Sequence, residues 1–376
     1  MINQISQKLI GLRVKAAREA AGYSQDQLAD ALRINDRQTI SDIEKGKRAV
    51  KADELFAISD LFARDTDFFI DPFAVAGEAK FSWRADPAID DIRLKEFEDK
   101  AGQRIGMFRW LREMNRTRSG AVSALKSSLR LSAQSSFELA QLRAEQLVAE
   151  LDLGLIPAER LASVVEQKFD IPLLFVDMIG IETGKSVSGA ICHMDALSVI
   201  LINRNEPETR RNSDLAHALF HALSWDAMEP VRRESNSSEA RTANGRTQQL
   251  ANNFAAAMLM PTASLKSLID PERSEDIAHL LAVASTLRVS PSALGSRLFN
   301  LKKIDKPTRD ALMVTNPQPA SAETLKRFSA EFVTLLHEAL EKGRISARKA
   351  AKIIDGELSD LRDLFSEHEL AAPFDI

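Results

Sequence analysis

Apolar positions recur at three- and four-residue intervals through most of this chain and give way to alternation in one short central stretch. Residues about 5–64 carry short periodic segments broken at Gly22, at RIND (33–36) and at GKRAVK (46–51), which predicts a few short helices packed into a small all-α module. FIDPFAVAGEAKFSWRADPA (69–88) is aromatic, bears Gly and Pro and shows no period, so it predicts a connector with some packed structure. Helical periodicity returns over about 90–150, in DIRLKEFEDKAGQRIGMFRWLREMNR and SSFELAQLRAEQLVAELDLG. Pro157 suits the first turn of a helix over PAERLASVVEQKF, which ends before the β-rich IPLLFVDM (171–178). VSGAICHMDALSVILINRN (187–205) alternates on either side of Met194–Ala196 and predicts a hairpin.

Next comes a helical stretch, DLAHALFHALSWD (214–226), and then a polar loop over 229–246. TQQLANNFAAAMLMP reads as a helix stopped by Pro261, and SEDIAHLLAVASTLR and SPSALGSRLFNLKKI as two more. TNPQPASAE (315–323) is the clearest linker, followed by a helical tail to Ile376. No repeat of fixed period is present. The expected fold is multidomain and mostly α with a small β-sheet. It comprises an all-α module over 1–72, a helical connector over 73–149, a central α+β domain over 150–314 and a helical C-terminal segment over 315–376.

Composition narrows the function classes. Charged residues make up 28% of the 376 and the net charge is −4, so a nucleic-acid surface has to be local. Cys192 is the only cysteine, which excludes an intrachain disulfide framework and a cysteine-built zinc site and fits a reducing compartment. Neither a secretory leader nor a run of about 18 apolar residues is found. The expectation is a cytoplasmic protein with no membrane partner.

In YSQDQLADALRINDRQTISDIEKGKRAVKADELFAISDLF (23–62), Leu28, Ala29, Leu32, Ile34, Ile40 and Ile43 fall where two helices crossing at a sharp turn bury each other's inner face. Ser24 can cap the first helix and Asp36 the second. Arg37, Gln38, Thr39, Ser41 and Asp42 are left on the outer side of the second helix. Gln and Arg there can make two-point contacts to base edges, and Thr or Ser can contact phosphate. Lys45, Lys47 and Arg48 supply positive charge for the backbone. The segments SQDQLA, TISDIEKGKR and LFAISDLF resemble the lambda-repressor-like (XRE, Cro/CI) helix-turn-helix family over about 60 residues. That resemblance implies binding to an operator in double-stranded DNA as a homodimer, with Gln25 buttressing the recognition helix against phosphate. A helical bundle that binds only a partner protein is the alternative, since Asp30, Asp36 and Asp42 reduce the basic character.

His217 and His221 stand four apart, so both can reach one zinc ion from a single helical face. Hydrolysis also requires a third ligand, an open position for water and a carboxylate to take its proton. IPLLFVD, SGAICHMDALSVILINRNEPETRRNSDLAHALFHAL and QQLANNFAAAMLMP together resemble the ImmA/IrrE (COG2856-type) metallopeptidase domain over roughly 150–305. The resemblance implies a general-base Glu at position 218 and a third-ligand Glu at position 248. Here they are Ala218 and Gln248, and Ser213 stands where a buried aromatic is usual. Ala has no proton acceptor, and an amide is a poor substitute for a carboxylate on a divalent cation. Zinc is therefore expected to be held weakly or not at all. Glu234 and Glu239 lie in the 229–246 loop, off the helix face the family uses, and His193 and Cys192 read as packed or exposed strand residues.

The order GRISARKAAKII…LSDLRDLFSEHEL is similar to a small helix-turn-helix-like tail on some antitoxin-type and ImmA/IrrE-associated proteins, with Arg344, Arg348, Lys349 and Lys352 on one basic face. A docking helix pair or a second nucleic-acid contact are its two readings. Helices 90–150 are expected to brace the domains or form a dimer seam, with a solvated Arg-rich face. The chain thus reads as a DNA-binding regulator whose peptidase-like domain is inactive and senses a ligand or partner. A zinc endopeptidase that cleaves a repressor or itself, with Ala218 an engineered or tolerated replacement of Glu, is one alternative. An antitoxin-like or phage-defence protein that binds a toxin or repressor is another.

Overall fold

A computed structural model describes residues 6–34, 36–75, 77–115, 129–178, 187–194, 197–234, 243–315 and 325–374. Residues 316–323 of the expected 315–323 linker, residues 195–196 of the expected hairpin turn and Glu239 lie outside the described residues.

The N-terminal helices are α1 (Gln7–Ala20), α2 (Gln25–Ala31), α3 (Arg37–Glu44), α4 (Ala52–Leu61) and α5 (Thr66–Ile70). Their starts follow from local chemistry. The Ser6, Ser24 and Asp36 side chains each accept from a backbone N–H in the first turn of α1, α2 and α3, satisfying donors the helix itself leaves open. Val14, Leu28, Ala29, Ile40, Ile43, Ile58 and Phe69 form the core of this module, with Leu32 and Ile34 partly buried against it. Gly11 is required where α1 crosses α3, since a Cβ there would lie 2.1 Å from the Ile43 carbonyl oxygen.

The remainder is built on a five-stranded mixed sheet: β1 (Lys80–Ala85), β2 (Leu173–Val176), β3 (Val187–Met194), β4 (Leu197–Asn203) and β5 (Arg233–Glu234), in the order β2-β4-β3-β1-β5. β3 and β4 are the expected antiparallel hairpin, with Gly189 opposite Ile202 and Met194 opposite Leu197. Nearly every β3 and β4 residue is buried, as expected of strands covered on both faces.

On one face of the sheet lie α7 (Phe137–Glu150), α8 (Ala158–Phe169), α9 (Glu208–Ser224), α10 (Ala243–Leu259), α11 (Thr262–Leu268), α12 (Ile277–Thr286), α13 (Pro291–Asn300) and α14 (Lys306–Val314). Their core includes Phe169, Ile200, Phe220, Phe254 and Leu298. On the other face lie α6 (Asp91–Asn115) and the tail helices α15 (Ala330–Glu341), α16 (Ala347–Ile353) and α17 (Leu358–Glu367). Trp83, Phe108, Leu174, Leu201, Phe332 and Phe365 share that second core. No single described helix is long and apolar enough to cross a membrane.

Two expectations change. The aperiodic 69–88 segment contributes β1, which joins the central sheet by pairing antiparallel with β3 and parallel with β5. The tail covers the second face of that sheet beside α6, packed as a docked group of helices. The Arg-rich face of α6 is not simply solvated, because Arg112 pairs with Glu331 at 2.6 Å and Arg109 with Glu78 at 3.0 Å.

Candidate metal centre and nucleic-acid face

The second half of α9 is enclosed all round, buried without a break from Asp214 to Ser224, and His217 and His221 lie within that run, 3% and 1% exposed. The third member of the site comes from the polar loop. Its backbone runs beside β1, with the Trp83 N–H donating to the Arg232 carbonyl at 2.8 Å and the Ser82 hydroxyl to the Val231 carbonyl at 2.8 Å. This pairing forms β5 and turns Glu234 inward, 4% exposed. Its Oε2 lies 2.7 Å from His217 Nε2 and its Oε1 3.0 Å from His221 Nε2, while the two Nε2 atoms are 3.1 Å apart. One ligand atom from each of the three residues can thus converge on a single ion.

Setting Glu234 aside because its loop is off the helix face is therefore corrected: β5 places its carboxylate on both imidazoles. Gln248, the position implied for the third ligand, is half-buried on α10 and is not among the residues lining the cavity. That cavity measures ≈ 20 Å3, room for about one water-sized body. Ser82 and Arg84 of β1, Gly189 of β3, Asp214 and the Ala218 methyl line it with the three candidate ligands. His193 stacks on Trp225 and Cys192 is fully buried in the strand core, so neither joins the cluster.

Asn252 on α10 orients the first imidazole. Its Oδ1 lies 3.0 Å from His217 Nδ1, so Nδ1–H donates and the Nε2 lone pair faces Glu234. Burial, with Arg84 adding to it, lowers the His217 imidazole to about 4, so the ring is neutral. A lone pair and a carboxylate oxygen 2.7 Å apart repel unless a positive charge lies between them. Two imidazoles and one carboxylate are also a donor set suited to zinc, so the residues fit a divalent cation.

One turn before Ala218, Asp214 pairs with Arg84 at 3.1 Å and Arg210 at 3.2 Å. Burial nevertheless pushes its carboxyl up to about 6. Ser213, which replaces the expected aromatic, is half-buried.

At the other end of the chain, α3 exposes Arg37 and Gln38, with Thr39, Ser41 and Asp42 half-exposed. A buried network fixes this helix: Arg18 of α1 donates to Glu44 at 2.6 Å, and Gln25 Nε2 of α2 donates to Glu44 at 2.7 Å. Gln25 Oε1 in turn accepts from Arg37 Nε at 3.1 Å, so the start of α2 positions an exposed cation of α3. Lys45 and Lys47 are exposed, whereas Arg48 is engaged by Glu54 at 2.7 Å.

A continuous set of contacts joins the two regions. Arg13 of α1, fully buried, donates to the Phe69, Asp71 and Ala74 carbonyls and to Glu78, which Arg109 also binds. Gly77 lies so close to α1 that a Cβ would come within 2.1 Å of the Ala16 methyl. β1 begins at Lys80 and ends beside the metal centre, where Arg84 pairs with Asp214 and lies in register with Glu234.

Comparison with known proteins separates the same two regions. Residues 14–69 match the helix-turn-helix family described as HTH_3, and residues 181–299 match the family described as the IrrE N-terminal-like domain of Peptidase_M78. No curated protein matches. Among solved structures, the chain aligns with the crystal structure of Bacillus thuringiensis PlcR in complex with the peptide PapR7 and DNA, at 13% identity and a TM-score of 0.17. That alignment covers 96% of this chain and 97% of the other. The chain thus carries a helix-turn-helix region joined to an IrrE-like domain with a His-His-Glu cluster.

Proposed function

We propose that this protein is a DNA-binding regulator whose peptidase-like domain holds a divalent cation, zinc by its donor set, as a sensing site and does not hydrolyse peptides. The observation that carries this reading is the combination of a closed His217–His221–Glu234 cluster with a methyl group at position 218. The third ligand that seemed absent is supplied by Glu234, so a cation can be held. Zinc in such a site polarises a bound water when one is present. No carboxylate stands at position 218 to take that water's proton, which forfeits a contribution of typically 10²–10⁴-fold. Asp214, the neighbouring carboxylate, is committed to Arg84 and Arg210. The cavity lined by these residues has room for about one water-sized body.

Each residue then has a role in binding. His217 is held by Asn252 in the tautomer that offers Nε2, His221 offers its own Nε2 one turn on, and Glu234 supplies the negative charge. Arg37, Gln38, Thr39 and Ser41 of α3 face the bases and phosphates of a duplex, and Lys45 and Lys47 add charge toward its backbone. Cation binding would bridge Glu234 and both histidines of α9 through a single ion. β5 is paired with β1, and β1 leads back through Glu78 to Arg13, so the same event is felt at α1 of the DNA-binding module.

The test is metal analysis with hydrolysis before and after Ala218→Glu. The unmodified protein is expected to retain about one zinc per chain after gel filtration and to leave a degenerate peptide library and itself intact. Ala218→Glu is expected to introduce slow cleavage. Cleavage by the unmodified, zinc-loaded protein that a chelator abolishes would show a working peptidase instead.

A further inference from the structure

The tail carries a charged hollow that the metal centre and α3 do not use. α16 and α17 meet at a turn through Asp355 and Gly356, and the space between them measures ≈ 670 Å3. Arg348 and Lys352, one turn apart on α16, and Arg362 on α17 line it, and all three are exposed. Among the described residues none of these three cations has a carboxylate within ion-pairing distance. The acids nearby are mostly committed: Asp355 pairs with Lys100 at 2.6 Å, and the Asp360 carboxylate accepts from the Glu357 N–H at 2.7 Å. The Glu357 side chain is the acidic counterweight within the lining. With Asp355 engaged by Lys100, three cations face only the Glu357 carboxylate around one concavity and leave its lining net positive in a chain whose overall charge is negative.

The position of the hollow narrows the polyanion it suits. Lys349, next to Arg348, pairs with Asp71 at 3.6 Å and lies over the Phe73 ring at 5.3 Å. The Asp71 carbonyl in turn accepts from Arg13 of α1 at 2.9 Å. α16 is therefore seated on the segment that leaves the helix-turn-helix region. We infer that Arg348, Lys352 and Arg362 bind the phosphate backbone of the duplex that α3 reads, beside the site α3 occupies. This rests on the DNA-binding reading above and extends its footprint to the C-terminal tail.

Phosphate contacts are independent of sequence, so a long random-sequence duplex serves as the probe, titrated with the full chain by fluorescence anisotropy over a range of salt concentrations. The triple variant Arg348→Ala, Lys352→Ala, Arg362→Ala is expected to bind on the order of tenfold more weakly at ~0.1 M salt. Its plot of log affinity against log salt should be shallower by about 0.9 for each phosphate that the variant no longer neutralises. Glu357→Gln, which removes the opposing charge and keeps the side-chain length, is expected to tighten binding severalfold and decides the matter should the triple variant fail to fold. An unchanged salt slope in a folded triple variant, or unchanged affinity in Glu357→Gln, overturns the inference. Loss of binding in Arg37→Ala with no effect of the tail substitutions would leave the DNA-binding reading standing and remove this one. A native chain that binds no duplex at low salt would remove both.

Discussion

At the scale of the residue, the proposed reading turns on position 218, where the Ala218 methyl would leave a bound cation without a proton acceptor beside it. The paired histidines are legible in the sequence because a four-residue spacing on an apolar helix has a single geometric meaning. Glu234 is not legible, because its strand is two residues long and its inward turn depends on hydrogen bonds to a partner strand far away in sequence. Glu234→Ala is expected to lower zinc affinity by more than the roughly 10–100-fold typical of a supporting residue, while Asn252→Ala, which frees the His217 ring, falls within that range. Gln248→Ala should leave affinity unchanged, and isothermal titration with zinc measures all three. Burial raises the Cys192 thiol far above its ordinary value, so it should resist a thiol reagent in the native protein and react once urea unfolds the chain.

At the scale of the element, the helices capped by Ser24 and Asp36 and the 187–205 hairpin are legible because local periodicity and capping chemistry decide them. β1 is hidden for the opposite reason. KFSWRA does alternate polar and apolar, but the run is only six residues long between Gly77 and Pro87, which suggest a connector, and its decisive pairing is with β3, far away in sequence. Trp83 stacks on Phe81 at a centroid distance of 5.5 Å and is wholly buried in the core shared with the tail. Trp83→Ala is expected to cost about 3–5 kcal/mol in urea unfolding, as for other large aromatic truncations. On α3, Arg37→Ala or Gln38→Ala should weaken binding to DNA from upstream of the protein's own coding region without moving the melting temperature. Equal mobility shifts for both variants and the native chain would remove α3 from the recognition surface.

At the scale of the whole molecule, the regions that sequence separates are physically interleaved. The connector provides a strand to the central sheet, and the tail covers the face of that sheet opposite the metal centre. The helix-turn-helix region is held to the connector by Arg13 and by the close approach of Gly77 to α1. No composition or periodicity rule reports such long-range pairing, since it depends on which faces remain uncovered after the local elements form. If the His217–His221–Glu234 cluster holds a cation and α3 a duplex, as proposed, β1 would link the two events, and linkage requires any such coupling to act equally in both directions. The most direct measurement is the dissociation constant for upstream DNA with zinc added and with zinc removed by a chelator, in the native chain and in Glu234→Ala. A shift of roughly 5–150-fold is expected in the native chain and none in the variant. An affinity for DNA that is the same with and without zinc, in a native chain shown to hold the ion, would contradict the coupling.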